Sequence, residues 1–169
     1  MIDNFYQNAK RLEKSMPVLS FPKYNLVENL ILMGNMDFVG LMEDGFLHVI
    51  DFKTGANDEK DTLQLYIYAI LAESNYGKDV SKASFWYLDR DDRPRNIVLD
   101  PLDSQLEWLK KKALELKKAI EENNWVCIKE KDGLCRDCRD YQLIVDGKGE
   151  FQFTDHRFKK EIFYLPRAT

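Results

Sequence analysis

The stretch GNMDFVGLMEDGFLHVIDFK, residues 34–53, decides the fold of the core because two apolar runs surround a short polar turn. The runs cover residues 36–42 and 46–52. A three-residue turn commonly ends in a residue with left-handed backbone geometry, which suits Gly45. The stretch therefore predicts a β-hairpin, around which the rest of the chain can be placed.

Apolar matching predicts the register of this hairpin. Similar residues face each other in one alignment, with the pairs Met42–Phe46, Leu41–Leu47, Val39–Val49 and Phe38–Ile50. The same alignment places Asp37 opposite Asp51, with their Cβ atoms about 5 Å apart. Lys53 follows two residues later and points to the same face of the strand. A two-residue turn would shift the pairing and place Asp37 opposite Phe52.

Asp37 and Asp51 would repel each other in this register, so their charge needs compensation. A divalent cation such as Mg²⁺ is one solution, because carboxylates are among its preferred ligands. A lysine beside such a cation suits an activated water and a charged phosphate. Lys53 bridging the two carboxylates in a plain salt bridge is the other solution, and the residues alone leave both open.

Asp-x-Lys triplets occur three times in the chain, and their context distinguishes them. Asp51 ends an apolar run that predicts a strand, whereas Asp58 lies in a polar stretch before a helix. The third copy begins at Asp146 and lies in a glycine-containing turn. We therefore expect chemistry only at the first copy.

A helix predicted over residues 59–75 follows the hairpin and ends near Gly77, a suitable C-cap. Gln64 and Tyr68 are four residues apart and therefore share one face of this helix. Gln64 is a polar residue in an apolar stretch, which favours a functional role. Tyr68 taken alone is better explained by packing with its apolar neighbours.

The ordered set GNMD (34–37), DFK (51–53) and QLYIY (64–68) resembles the RecB-type branch of the PD-(D/E)XK nucleases. That branch includes the nuclease domains of recombination helicase-nucleases and the CRISPR adaptation nucleases. The resemblance covers roughly residues 24–88. It implies an α/β fold with a restriction-endonuclease-like core, in which helices flank a central mixed β-sheet.

The resemblance also implies a metal site for Mg²⁺ or Mn²⁺. Asp37 and Asp51 would be its side-chain ligands, and the main-chain carbonyl of Phe52 would be a third. Related domains often carry a glutamate ahead of the first aspartate, which makes Glu28 a weaker candidate ligand. A solvent-facing role for Glu28 fits the sequence equally well.

Catalytic roles follow from the same resemblance. Lys53 would orient or deprotonate the attacking water, or stabilise charge on the phosphate. Similar nucleases use the residues at the positions of Gln64 and Tyr68 near the metal site and the bound strand.

The implied activity is that of a Mg²⁺- or Mn²⁺-dependent deoxyribonuclease with exonuclease-like action in repair, recombination or phage DNA metabolism. DNA is the expected substrate, and a helicase or another recombination protein is the kind of partner implied. The alternative is a catalytically inactive nuclease-like module that binds DNA or a partner protein. An incomplete cysteine set motivates this alternative.

Three cysteines follow the core in the pattern C-x7-C-x2-C, at Cys127, Cys135 and Cys138. Many similar nucleases hold an iron–sulfur cluster with four cysteines, one before the core and three after it. No cysteine precedes Cys127, so we expect no complete iron–sulfur cluster and interpret the three as a remnant. Zinc held with a fourth ligand such as His156 is the alternative.

Composition and charge set the remaining bounds. At 169 residues and 44% hydrophobic content, the chain can bury a core. We expect one nuclease domain over residues 1–169, with a C-terminal extension from about residue 124. The net charge of −4 counts against broad nucleic-acid affinity, although a cation bound by carboxylates restores positive charge locally. No apolar run approaches the ~20 residues of a membrane helix, and no signal peptide begins the chain, so we expect a cytoplasmic protein without membrane contact.

The outer elements are predicted from periodicity and capping residues. A helix is expected over residues 3–15, and a strand within residues 24–33. Further strands are expected at residues 83–88 and 96–99. Ser104 and Glu107 predict a capping box. The helix that follows carries an apolar stripe made of Leu106, Leu109, Ala113, Leu116 and Ile120.

Overall fold

The computed structural model describes residues 2–124 and 135–165 of the chain. The chain divides into two compact units, residues 1–118 and 119–169. This division does not test the predicted domain boundaries. A single nuclease domain with an extension from about residue 124 therefore stays a prediction.

The first unit holds most of the helices and strands. Its helices are α1 (Ile2–Asn8), α2 (Leu63–Tyr76) and α3 (Leu102–Glu121), and α3 runs past the boundary of the unit. Its strands are β1 (Lys14–Ser15), β2 (Lys23–Val27), β3 (Leu30–Met33), β4 (Phe38–Leu41), β5 (Leu47–Lys53), β6 (Val80–Tyr87) and β7 (Arg95–Ile97).

A five-stranded mixed sheet in the order β1-β4-β5-β6-β7 forms the centre of this unit. Strands β5 and β6 pair in parallel, and the other neighbours pair antiparallel. Parallel neighbours need a crossover connection, which α2 supplies between β5 and β6. This arrangement confirms the predicted α/β fold with a central mixed sheet and flanking helices.

The predicted register of the hairpin is confirmed. Strands β4 and β5 pair through Phe38–Ile50, Val39–Val49, Gly40–His48 and Leu41–Leu47. Gly45 has a φ of 89°, as the last residue of a three-residue turn requires. Continuing the ladder by one residue beyond Phe38 brings Asp37 opposite Asp51.

The core lies between α2 and the face of the sheet that carries Leu47 and Val49. The buried side chains of α2 on this face are Leu65, Tyr68, Ala69 and Ala72. On the opposite face, the ring of Phe5 in α1 packs against Phe52 and Trp86, with centroid distances of 5.6 and 5.5 Å. Strand β5 is thus covered on both faces, which explains why residues 47–51 are all buried.

The N-terminal helix is shorter than the predicted span of residues 3–15. Helix α1 ends at Asn8, a 3-10 turn covers Ala9–Arg11, and Lys14 and Ser15 pair with β4 as an edge strand. The edge of β4 would otherwise expose unpaired backbone N–H and C=O groups. The chain leaves the helical conformation and pairs with these groups as an edge strand.

The single strand predicted within residues 24–33 is a two-stranded hairpin of β2 and β3. Glu28 and Asn29 form its turn, with φ values of 44° and 67°. Positive φ at both central residues is the geometry that joins two twisted strands directly. Asparagine tolerates this conformation, but a glutamate rarely adopts it, so residues 28 and 29 carry no clear turn signal.

Two helices begin at other residues than predicted. Helix α2 begins at Leu63, four residues after the predicted start. Helix α3 begins at Leu102, so Ser104 lies in its first turn and does not form the predicted capping box. The Ser104 hydroxyl instead donates a hydrogen bond to the Pro101 carbonyl at 2.9 Å.

The apolar stripe of α3 divides into two parts. Leu109 is buried in a small apolar cluster with Leu26 and Ile70. Leu106 and Ala113 are partly buried and pack against this cluster. The last two members of the stripe, Leu116 and Ile120, are exposed. The first half of the predicted stripe therefore packs as expected, and the second half does not.

The second unit contains α4 (Arg136–Val145) and an antiparallel hairpin of β8 (Glu150–Asp155) and β9 (Lys160–Tyr164). Gly147, with a φ of 73°, confirms the turn expected at residues 146–148. The helix and the hairpin were not predicted. None of the described helices is both long and apolar enough to cross a membrane.

Candidate active site

The end of β5 places Asp51 and Lys53 on the face of the sheet that α2 covers, because alternate residues of a strand share one face. Asp51 is only 2% exposed. Lys53 Nζ lies 2.8 Å from Asp51 Oδ2, so the two side chains form an ion pair. The same ammonium lies 5.1 Å from the centroid of the Phe85 ring on the neighbouring strand.

Asp37 approaches the same end of β5 from the neighbouring strand. Its Oδ2 atom accepts a hydrogen bond from the Phe52 amide at 2.9 Å. The N–H and C=O groups of one residue in an extended strand point to the same side. The Phe52 carbonyl therefore faces the same edge of β5 as the Asp37 carboxylate.

A chain of hydrogen bonds links Lys53 to α2. Lys53 Nζ donates to Gln64 Oε1 at 2.8 Å, and Gln64 Nε2 donates to Tyr68 Oη at 3.1 Å. The structure thus brings together Asp51, Lys53, Gln64 and Tyr68, which the sequence placed on two different elements.

The protonation of the site follows from burial and neighbouring charges. Burial raises the pKa of Asp51, the Lys53 ammonium lowers it, and the Asp37 carboxylate raises it, with a net rise above the ordinary value. Burial raises the pKa of Tyr68 to about 12, so its hydroxyl stays protonated and can donate a hydrogen bond at neutral pH. The contribution of Asp37 is the repulsion that the register predicted, although burial is the larger cause of the raised pKa of Asp51.

We expect metal-free Asp51→Asn protein to melt at a higher temperature than wild type at pH 7. Because the folded-state pKa of Asp51 lies above its ordinary value of 3.8, its contribution to stability is full below pH 3.8 and is lost as pH rises through the folded pKa. An amide stays neutral throughout and avoids this loss. Thermal unfolding in EDTA across a pH series measures the effect.

The difference in melting temperature should shrink as pH falls and vanish well below pH 3.8, where the carboxyl is protonated in both states. Asp44→Asn, in the turn of the same hairpin, serves as the control and should melt like wild type. A lower melting temperature of Asp51→Asn at pH 7 would contradict this account.

The residues at this site fit a hard divalent cation. Asp51 Oδ2 is buried, and among the described residues no donor meets it in hydrogen-bond geometry, although the Lys53 ammonium is its ion-pair partner. Asp37 is exposed, so its carboxylate is open to solvent and ligands. One or two carboxylates with waters suffice for Mg²⁺, and the Phe52 carbonyl offers a further oxygen.

Glu28 is not brought to this site. It lies exposed in the β2–β3 turn, where Lys117 Nζ pairs with its Oε2 at 3.0 Å. Within residues 2–124 and 135–165, no group of three or more acidic, histidine or cysteine side chains is placed to hold a metal ion. The structure therefore gives Glu28 a surface ion pair instead of a place beside Asp37 and Asp51.

Two aromatic residues of β6 border the site, and they were not predicted from the sequence as site residues. Phe85 lies opposite Asp51 in the ladder and beneath the Lys53 ammonium, and Tyr87 lies opposite Lys53. The signal was present, because residues 83–88 were predicted as a strand with alternating faces. Only the parallel pairing of β5 and β6 shows that these rings meet the site.

Two of the three cysteines lie at the start of α4. Cys135 precedes the first residue of α4 and is buried, and Cys138 lies in the first turn of that helix. Among the described residues, no disulfide joins Cys135 and Cys138. Cys127 lies outside the described residues, so the remnant and the zinc site with His156 both stay predictions.

Comparison with known proteins identifies a family for the chain. A search of curated proteins finds none that matches the chain. The sequence model of the PD-(D/E)XK nuclease superfamily matches residues 2–141, a span that includes all of the residues gathered at the end of β5. With this match over most of its length, the chain belongs to the PD-(D/E)XK nuclease superfamily.

Proposed function

We propose that the protein is a Mg²⁺- or Mn²⁺-dependent deoxyribonuclease of the RecB type with exonuclease-like action. The observation that carries the proposal is the buried Asp51 carboxylate, which has Lys53 Nζ at 2.8 Å and Asp37 bonded to the amide of the next residue, Phe52. A superfamily of nucleases makes DNA the expected substrate. Repair, recombination or phage DNA metabolism is the proposed setting, with an intracellular location and a helicase or recombination protein as a partner.

Asp37, Asp51 and the Phe52 carbonyl would hold the cation. When bound there, a divalent cation would polarise the scissile phosphate and lower the pKa of a coordinated water. The other catalytic roles belong to side chains of the protein itself.

Lys53 supplies a positive charge at the position where negative charge develops on the phosphate. Gln64 accepts a hydrogen bond from the Lys53 ammonium and so restricts its position. Tyr68 stays protonated at neutral pH, so its hydroxyl can donate a hydrogen bond within the site while it accepts one from Gln64. These three side chains would thus orient the charges of the site before substrate arrives.

We expect the purified protein to degrade labelled single- or double-stranded DNA with Mg²⁺ or Mn²⁺ and to lose this activity in EDTA. Blunt, overhung and circular substrates, assayed in parallel, separate exonuclease-like from endonuclease action. An exonuclease-like enzyme should leave covalently closed circles intact. Cleavage of closed circles would replace that part of the proposal.

Tight binding of DNA without cleavage under either ion would contradict the proposal. That result would favour the alternative, a catalytically inactive nuclease-like module that binds DNA or a partner protein. Binding can be measured on the same labelled oligonucleotides by fluorescence anisotropy, with Ca²⁺ in place of the catalytic ions.

A further inference from the structure

The loop of residues 54–62 joins two parts of the site, because Lys53 precedes it and Gln64 follows it in the first turn of α2. Residues 54–61 are all exposed, so no buried apolar side chain anchors them. A loop of this kind keeps one conformation only if polar contacts offset its conformational entropy. Those contacts come from the end of β6 and the segment that follows it.

Two arginines meet one carboxylate of the loop. Arg90 Nη2 donates to Asp58 Oδ1 at 2.6 Å, and Arg90 Nη1 donates to the Ala56 carbonyl. Arg95 Nη1 lies 3.2 Å from Asp58 Oδ2. Asp58 thus connects the middle of the loop to both arginines through ion pairs.

Tyr87 forms the base of this arrangement. Its hydroxyl accepts a hydrogen bond from the Glu59 amide at 2.6 Å. The guanidinium carbons of Arg90 and Arg95 lie 4.2 and 4.9 Å from the centroid of its ring. Tyr87 is only 2% exposed and lies opposite Lys53 in the β5–β6 ladder.

We propose that Asp58, Tyr87, Arg90 and Arg95 form a loop clamp that positions Lys53 and Gln64 relative to each other. The inference rests on the proposed nuclease function and adds positioning residues to it. The clamp fixes the path between the two side chains and so maintains the 2.8 Å hydrogen bond from Lys53 Nζ to Gln64 Oε1. The second Asp-x-Lys triplet, which begins at Asp58, thereby has a role of its own in place of metal binding.

A purely structural role for the clamp predicts a different result from a positioning role. A structural contact changes the melting temperature and lowers activity only through the fraction of folded protein. A positioning contact lowers the rate of the chemical step in fully folded protein, because small displacements of a catalytic group are costly. The affinity for metal then stays as it is, since the clamp supplies no metal ligand, and saturating DNA keeps any change in DNA affinity out of the measured rate.

The test compares Asp58→Ala, Asp58→Glu and Lys60→Ala with wild type in single-turnover cleavage at saturating DNA and Mn²⁺, well below the melting temperatures. We expect Asp58→Ala to be about tenfold slower, with an unchanged Kd for Mn²⁺. Asp58→Glu keeps a carboxylate for both arginines and should recover most of the rate. Lys60→Ala, in the same loop, should cleave like wild type.

The Gln64 side-chain amide reports the clamp independently of activity. We expect its NMR signals to shift and broaden in Asp58→Ala and to stay unchanged in Lys60→Ala. An Asp58→Ala protein with the wild-type rate, or one whose loss follows the folded fraction, would overturn the clamp and leave the nuclease function standing. Wild-type protein that cleaves no DNA under either ion, with the Gln64 signals intact, would refute the nuclease function and the clamp's catalytic role with it.

Discussion

Lys53→Ala should lower divalent-dependent DNA cleavage about 10³-fold, which corresponds to about 4 kcal/mol of transition-state stabilisation. The ammonium lies 2.8 Å from Asp51 and donates to Gln64, so it is held where phosphate charge would develop. Alanine removes this charge and leaves both carboxylates in place. The fold and the affinity for metal should therefore persist.

The measurement is single-turnover cleavage with Mg²⁺ and with Mn²⁺, together with calorimetric titration of Mn²⁺ at pH 7.5 or above. Removing the ammonium takes away an influence that lowers the pKa of Asp51, so metal binding is measured toward high pH, which favours ionisation of the carboxyl. Lys60→Ala and Lys148→Ala, from the other two Asp-x-Lys triplets, are the matched controls and should retain activity. If Lys53→Ala cleaves DNA as fast as wild type, the assignment of this site fails.

Asp51→Asn and Asp37→Asn should each lose metal binding together with cleavage. A neutral amide is a weak ligand for a hard cation, and each carboxylate would contribute one of few protein ligands. Wild-type protein should gain about 2.7 kcal/mol of stability at a metal concentration of 100 times Kd. Both variants should gain almost nothing under the same conditions.

The local structure should survive these two substitutions. The amide oxygen of Asp37→Asn can still accept the hydrogen bond from the Phe52 amide, which holds the side chain against β5. Asp44→Asn in the same hairpin is the control for changes in net charge, and its metal-dependent rise in melting temperature should match that of wild type. A variant at Asp37 or Asp51 that still gains the wild-type stabilisation from Mn²⁺ would show that the cation binds elsewhere.

The hairpin and its register could be read from the sequence because the information is local. Apolar residues fill most of residues 36–42 and 46–52, and only one alignment matches them on both faces. That alignment alone set Asp37 opposite Asp51. The i, i+4 spacing likewise fixed that Gln64 and Tyr68 share one face of a helix.

Where the prediction was wrong, non-local contacts decided the outcome. Helix α1 ends early because the chain pairs with the edge of β4, and a helix pattern carries no information about that edge. The turn at Glu28 and Asn29 places Glu28 beside Lys117, 89 positions later in the chain. The fold, and not the order of residues in the sequence, therefore separates Glu28 from Asp37 and Asp51.

The two opposed carboxylates, the lysine on their face and the helix face behind them follow from local sequence, because strand alternation and helical periodicity act over a few residues. How these parts meet depends on contacts between distant segments. Burial of β5 beneath α2 raises the pKa of Asp51, and the parallel pairing with β6 brings Phe85 and Tyr87 to the site. Burial and parallel pairing depend on contacts between residues far apart in the chain, so no local pattern encodes them.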